Sequence, residues 1–406
     1  MNIAIDRIEA LLLLAALVAM AARRMRVPYS VGLVAAGIGM SFVSTELGFE
    51  LTKELIFGLF LPPLVFEAAL FIRWNELKAD LGVIVTLASA GVVLSAAITA
   101  VGMHMLAGWA WAPAAVFGAL IAATDPVSVI ATFKEAGVQG RLRLLVEAES
   151  LFNDSTAAIL FGVALALALG SGATTGGVAW TLVTNVGGGL MVGGAVGGAM
   201  LLIAGRTTDH LVELTFTTVA AYGSFLIAEH FHFSGVLATL VCGLVVGNIG
   251  PLGSISPRGR EGVESFWEYA AFVVNSLIFI LIGIREAAQS FTAVRLPIVI
   301  AIVLVTLGRA AAIYPLCALF RNSSRRVSAK HQHVLFWGGL RGALALALAL
   351  GLPAAMPLHD EILAVTFAVV AFSLFAQGMT MTPLLRRVGE LPEPKASVGV
   401  RPEKSA

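Results

Sequence analysis

Apolar stretches long enough to span a bilayer recur along the whole chain, separated by short charged or Pro/Gly-rich breaks, and marking them predicts about thirteen helices. They lie near 8–22, 27–44, 54–72, 81–107, 112–133, 143–169, 178–204, 210–230, 233–250, 263–284, 293–320, 331–352 and 360–385. Segments 163–169 and 342–350 alternate Leu with small residues at a strand period. Alanine is a poor strand former and a spanning sheet must close into a barrel, so helix is the reading for both. The seventh span holds Gly187, Gly188, Gly189, Gly193, Gly194, Gly197 and Gly198. Gly189, Gly193 and Gly197 share one face as small-xxx-small steps, which predicts close packing on a neighbouring helix. A span at mid-chain could also join two halves of an inverted repeat.

Composition agrees with this pattern. Of 406 residues, 58% are hydrophobic before the 42 glycines are counted, and only 13% are charged. Roughly two thirds apolar, against about half in soluble domains, excludes a soluble globular protein. The membrane region is expected over 1–387, with no connector long enough for a second folded domain. A tail over 388–406, rich in Pro, Glu and Lys, is expected to be disordered. Net charge is +1, with no basic surface for nucleic acid. Cys242 and Cys317 sit in apolar runs without metal or redox spacing, and no cofactor is expected.

The few charges are distributed asymmetrically. Asp6, Arg7 and Glu9 precede the first apolar run, and Arg23, Arg24 and Arg26 follow it. A cleavable signal has the opposite polarity, so a retained first span is expected. With the N-terminus outside, twenty Lys and Arg fall on the cytoplasmic side and four outside: Arg7, Lys53, Arg285 and Arg295. That excess matches the positive-inside rule and an odd number of spans with the C-terminus inside.

Six ionisable residues remain at membrane depth, where charge is costly: Glu67, Asp125, Glu149, Asp154, Arg309 and Arg341. In span five, Thr124-Asp125-Pro126 breaks the helix, because Pro126 removes a backbone donor and clashes with the preceding turn. Carbonyls near Ala122 and Thr124 are thereby freed beside a carboxylate, a hard oxygen site for a small cation. In span six, Glu149, Ser150, Asn153 and Asp154 occupy an arc of about 140° on one helix face. Glu67 follows Pro62-Pro63 in span three. In span twelve, Gly338-Gly339-Leu340-Arg341-Gly342 permits a second broken helix to answer the first. Arg309 cannot lose its charge and requires an acidic partner.

The ordered motifs Thr124-Asp125-Pro126, Glu149-Ser150-Leu151-Phe152-Asn153-Asp154 and Gly338-Gly339-Leu340-Arg341-Gly342 resemble those of the cation:proton antiporter-1 family, the NhaP-type and NHE-type exchangers. The resemblance implies an all-α polytopic fold of thirteen spans in two inverted repeats with interrupted crossing helices. It implies a homodimer, with core helices near 54–169 and 263–385 and dimerisation helices near 8–44 and 178–250. It implies ion binding at Asp154, with Asp125 or the Thr124 backbone, Ser150 and Glu67 nearby, a buried Glu149–Arg309 pair, and Arg341 as the basic residue of the broken span. No long regulatory tail of the animal type follows the last span, so a prokaryotic inner membrane is the expected setting.

A carboxylate shielded from water holds a proton or a cation more readily than it stands charged alone, so Na+ or Li+ competes with H+ for one group. Asn153 cannot titrate, which predicts one proton per sodium ion. Potassium/proton exchange is the alternative within the class. A channel is disfavoured by two broken spans without a filter loop. A hydrolase is disfavoured by the lack of HExxH or GxSxG, and His230 and His232 stand at a span end.

Overall fold

Helices occupy every one of the thirteen predicted intervals, and no strand occurs among the described residues. The computed structural model describes residues 2–25, 27–42, 51–170, 175–287, 289 and 291–391, so the expected tail lies outside it from 392 onward. The helices are α1 (Asn2–Met25), α2 (Tyr29–Ser41), α3 (Lys53–Phe71) and α4 (Trp74–Leu106). The fifth is divided into α5a (Trp111–Leu120) and α5b (Val127–Ala136). Then come α6 (Arg141–Ala168), α7 (Thr175–Ala204), α8 (His210–His230), α9 (Gly235–Ile249), α10 (Pro257–Ala287) and α11 (Arg295–Leu319). The twelfth is divided into α12a (Ala329–Trp337) and α12b (Ala343–Leu350), and α13 is His359–Val388.

Nine of the described stretches are individually long and apolar enough to cross a membrane. Exposed apolar faces, such as Leu190, Met191 and Leu202 on α7 and Leu296, Val299 and Val303 on α11, give the surface the chemistry of a lipid-facing wall. Three helices contain a π-helical turn: Ile56–Phe60 in α3, Leu87–Gly91 in α4 and Ser373–Gly378 in α13. The first lies just ahead of Pro62 and Pro63, where the missing backbone donors and ring clashes disturb the ordinary ladder.

The helices sort into two bundles by what they pack against. One bundle gathers α4, α5, α6, α11, α12 and α13; the other gathers α1, α2, α3, α7, α8, α9 and α10. Packing between the bundles is sparse by comparison and runs through α2, α3, α7, α9 and α10 on one side and α5b, α6, α12b and α13 on the other. The glycine stripe of α7 behaves as expected, with Gly189, Gly193 and Gly197 each set closely against α9, most tightly at Gly193, where a Cβ would strike the Ala238 carbonyl.

The bundle membership of two spans differs from the sequence expectation. The resemblance groups 54–72 and 263–284 with the core helices, whereas α3 packs mainly on α9 and α10, and α10 packs on α2, α3 and α8. A helix's apolar pattern states how much of it is buried and not which neighbour buries it. The choice is made by close approach, as where Gly283 of α10 meets the α2 backbone at Gly37.

Candidate functional site

The two broken helices cross at their unwound segments, 121–126 and 338–342, and the break in α5 is a full loss of helix around Pro126. Each break exposes one positive and one negative helix end, so the crossing needs charged partners of both signs. Asp125 serves the positive ends. Its Oδ1 accepts the Val127 N–H of α5b at 3.0 Å, and its Oδ2 accepts the Ala343 N–H of α12b at 3.3 Å. Arginines serve the negative ends: Arg309 donates to the Leu335 carbonyl of α12a at 3.0 and 3.3 Å, and Arg341 donates through Nη1 to the Ala123 carbonyl at 3.0 Å.

The two breaks also bond directly, the Asp125 N–H donating to the Leu340 carbonyl at 2.8 Å. From α13, Ser373 Oγ accepts the Arg341 N–H at 3.0 Å. Gly342 must be glycine here, because a Cβ at that position would collide with the Asp125 carboxylate.

Helix α6 presents its polar face to this crossing. Ser150 Oγ donates to the Thr124 carbonyl, and Thr124 Oγ1 donates to Ser150 Oγ at 3.3 Å. The Thr124 N–H is directed at the Asp154 carboxylate. Asp154 Oδ1 is enclosed yet takes no hydrogen bond from any described residue, and Asn153 Oδ1 is in the same condition. Buried oxygens are almost always paired, so an enclosed Asp154 oxygen left without a partner is open to a donor or a cation.

Glu149 and Arg309 form a two-pronged ion pair, at 2.7 Å from Nη1 to Oε1 and 2.9 Å from Nη2 to Oε2. Asn153 Nδ2 adds a donor to Glu149 Oε1 at 3.3 Å. Glu149, Arg309 and Arg341 are 2%, 6% and 1% exposed, so none of their charges is balanced by solvent.

Thr124, Asp125, Glu149, Ser150, Asn153, Asp154, Arg309 and Arg341 are thus brought together around the crossing. Asp125 sits there as a helix cap, both of its oxygens engaged by backbone N–H groups. Glu67 does not join the cluster. Its charged neighbours are Lys134, Glu147, Glu268 and Arg143, and it lines a cavity of about 240 Å³ with Tyr29, Pro126, Lys134, Glu147 and Leu151. The cavity's charged lining outside Glu67 escaped the sequence reading, because Lys134, Glu147 and Glu268 fall within about two turns of the ends of the predicted spans 112–133, 143–169 and 263–284, where charge is unremarkable.

A second cavity, of about 550 Å³, opens from the other end of α6, between Lys53, Phe57, Ala158, Phe161, Gly162 and Glu229. On α6 the two cavities reach Leu151 and Ala158, about one helical turn on either side of Asp154. Access from each end therefore stops just short of the same carboxylate.

Comparison with known proteins bears on the family and the fold. The family described as sodium/hydrogen exchanger, transmembrane, matches residues 10–387. The Na(+)/H(+) antiporter ApNhaP of Aphanothece halophytica is 40% identical over 368 residues, which is 90% of this chain and 70% of that protein. The Na(+)/H(+) antiporter NhaH of Halobacillus dabanensis is 34% identical over 400 residues, covering 94% of this chain and 98% of that protein. The solved structure of the sodium proton antiporter MjNhaP1 from Methanocaldococcus jannaschii aligns with a TM-score of 0.74 over 96% of this chain and 98% of that one. At 20% identity that last likeness shows the fold. The match to the family spans nearly the entire membrane region, and the chain belongs to the sodium/hydrogen exchanger family.

Proposed function

We propose that this chain exchanges Na+ for H+ across a membrane, one for one and by alternating access, with Asp154 as the group that carries either ion. The observation that carries the reading is the balance of buried charge. Arg309 and Arg341 supply two permanent positive charges, and Glu149 and Asp125 supply two negative ones, each held by hydrogen bonds suited to its ionised form. Asp154 is the carboxylate left over, and it needs a proton or a cation before the site is neutral.

Asp154 Oδ1, Asn153 Oδ1, Ser150 Oγ and the Thr124 carbonyl are hard oxygen donors suited to a small monovalent cation. The bundle of α4, α5, α6, α11, α12 and α13 moves against the other as a unit once its site is neutral, and the bundle of α1–α3 and α7–α10 forms the static scaffold and the homodimer contact. The distribution of Lys and Arg supports an N-terminus outside and a C-terminus in the cytoplasm, in a prokaryotic inner membrane as the resemblance implies. The cycle requires no cofactor.

The test is a pH-sensitive dye inside acid-loaded proteoliposomes. External Na+ should drive proton efflux, Li+ should do so as well, and K+ should be much weaker. Because protons compete for Asp154, half-saturating Na+ should rise as pH falls, approaching about tenfold per pH unit once most sites are protonated. A response to K+ equal to that for Na+ would replace this reading by potassium/proton exchange. Cation flux that persists at full rate without any counterflow of protons would replace it by a channel.

A further inference from the structure

The two bundles are joined by three connections: residues 72–73 between α3 and α4, 169–174 between α6 and α7, and 288–294 between α10 and α11. The first lies where α9 ends, against Asn248; the described end of α6 and start of α7 gather at the opposite face, where α9 begins. Only the first is so short. Ile72 and Arg73 are both extended, with φ/ψ of −77°/122° and −79°/122°. At about 3.3–3.6 Å per residue, two residues allow the start of α4 very little translation relative to the end of α3.

The same connection is also gripped from the side. Asn248, at the end of α9, accepts the Trp74 N–H through Oδ1 at 2.7 Å and donates through Nδ2 to the Ile72 carbonyl at 2.9 Å. Those are the orphan groups a helix end leaves on each side of the join. Asn248 is itself tied down by a bond from Nδ2 to the Leu244 carbonyl at 2.9 Å. One turn and less before it, Gly243 and Gly247 seat α9 directly on α3. A Cβ on Gly243 would lie 2.8 Å from the Ala69 Cβ, and one on Gly247 would strike the Leu70 carbonyl.

We infer that Ile72 and Arg73, clamped by Asn248, are the pivot about which the ion-site bundle turns against the scaffold, with Asn248 as its positioning residue. The inference rests on the alternating-access reading above and adds where the motion is fixed. Displacement between the bundles is then smallest at 72–74 and grows toward the opposite face. There the Lys53 side chain of α3 lies against Gly351 at the end of α12b.

Two cysteine pairs test this in a Cys242→Ala/Cys317→Ala background: Arg73→Cys/Asn248→Cys at the pivot and Lys53→Cys/Gly351→Cys at the far face. Reduced, the pivot pair should lower the maximal Na+/H+ exchange rate by about ten- to a hundredfold, the scale of the two hydrogen bonds that Asn248 makes to the connection, with half-saturating Na+ unchanged. A short bifunctional thiol reagent should restore the rate at the pivot and stop exchange at the far face. Arrest of exchange by the pivot cross-link would overturn the proposal while leaving alternating access standing. Full exchange with the far face cross-linked would overturn both, since the bundles would then not move apart. In the unmodified protein, the Trp74 amide should keep the same protection from hydrogen exchange in Na+ at high pH and without Na+ at low pH. A change in that protection would likewise remove the pivot.

Discussion

Asp154→Asn should reduce Na+-driven proton movement to the background of protein-free vesicles while leaving a folded protein. Asparagine has the same shape and keeps an oxygen for the Thr124 N–H, so the crossing around it is preserved. It cannot bind a proton and it cannot neutralise a cation. With Arg309 and Arg341 already matched by Glu149 and Asp125, the variant's site is permanently neutral and has nothing to exchange. A second readout separates lost transport from lost folding. Na+ should raise the thermal stability of the parent protein in detergent, because a ligand that binds the folded state stabilises it, and should leave that of Asp154→Asn unmoved. Exchange by the well-folded variant at a substantial fraction of the parent rate would remove Asp154 from the centre of the mechanism.

The second large effect is structural. Arg309→Ala leaves Glu149 buried with only the 3.3 Å bond from Asn153, and Glu149→Ala leaves Arg309 with only the Leu335 carbonyl. An unpaired buried charge typically costs about 3–5 kcal/mol, so either variant should lose much of its thermal stability. Removing both residues leaves no stranded charge and should cost clearly less than the sum of the two. Strictly additive losses in detergent would mean that the pair is not energetically coupled, and that its part in the charge balance is wrong.

Much of this site was legible in the chain because ionisable residues inside apolar stretches are expensive and therefore rare. Glu149, Asp154, Arg309 and Arg341 stand out for that reason, and the α6 face follows from helical angle alone. The span positions were legible because each must carry a long apolar run. The surroundings of Asp125 and Glu67 were not. Asp125 reads as a ligand, and nothing in its own span shows that its two oxygens also accept N–H groups from two helix ends, one of which arrives from residues more than two hundred positions away. Glu67 reads as part of the same cluster, but its helix belongs to the other bundle, and bundle membership depends on tight glycine contacts that no hydrophobic period encodes.

One measurement reaches the central claim, that a single carboxylate trades one positive charge for another. In proteoliposomes a potassium gradient with valinomycin sets the membrane potential without altering the sodium gradient, while the pH dye reports exchange. A potential biases any net charge movement by about 2.3 kcal/mol per elementary charge per 100 mV, so unequal exchange cannot remain hidden. Initial Na+/H+ exchange rates should be the same with the potential of either sign and without it. Acceleration by one sign and slowing by the other would contradict one-for-one exchange, and would mean that a second group, such as Glu67 or Glu149, also releases a proton in each cycle.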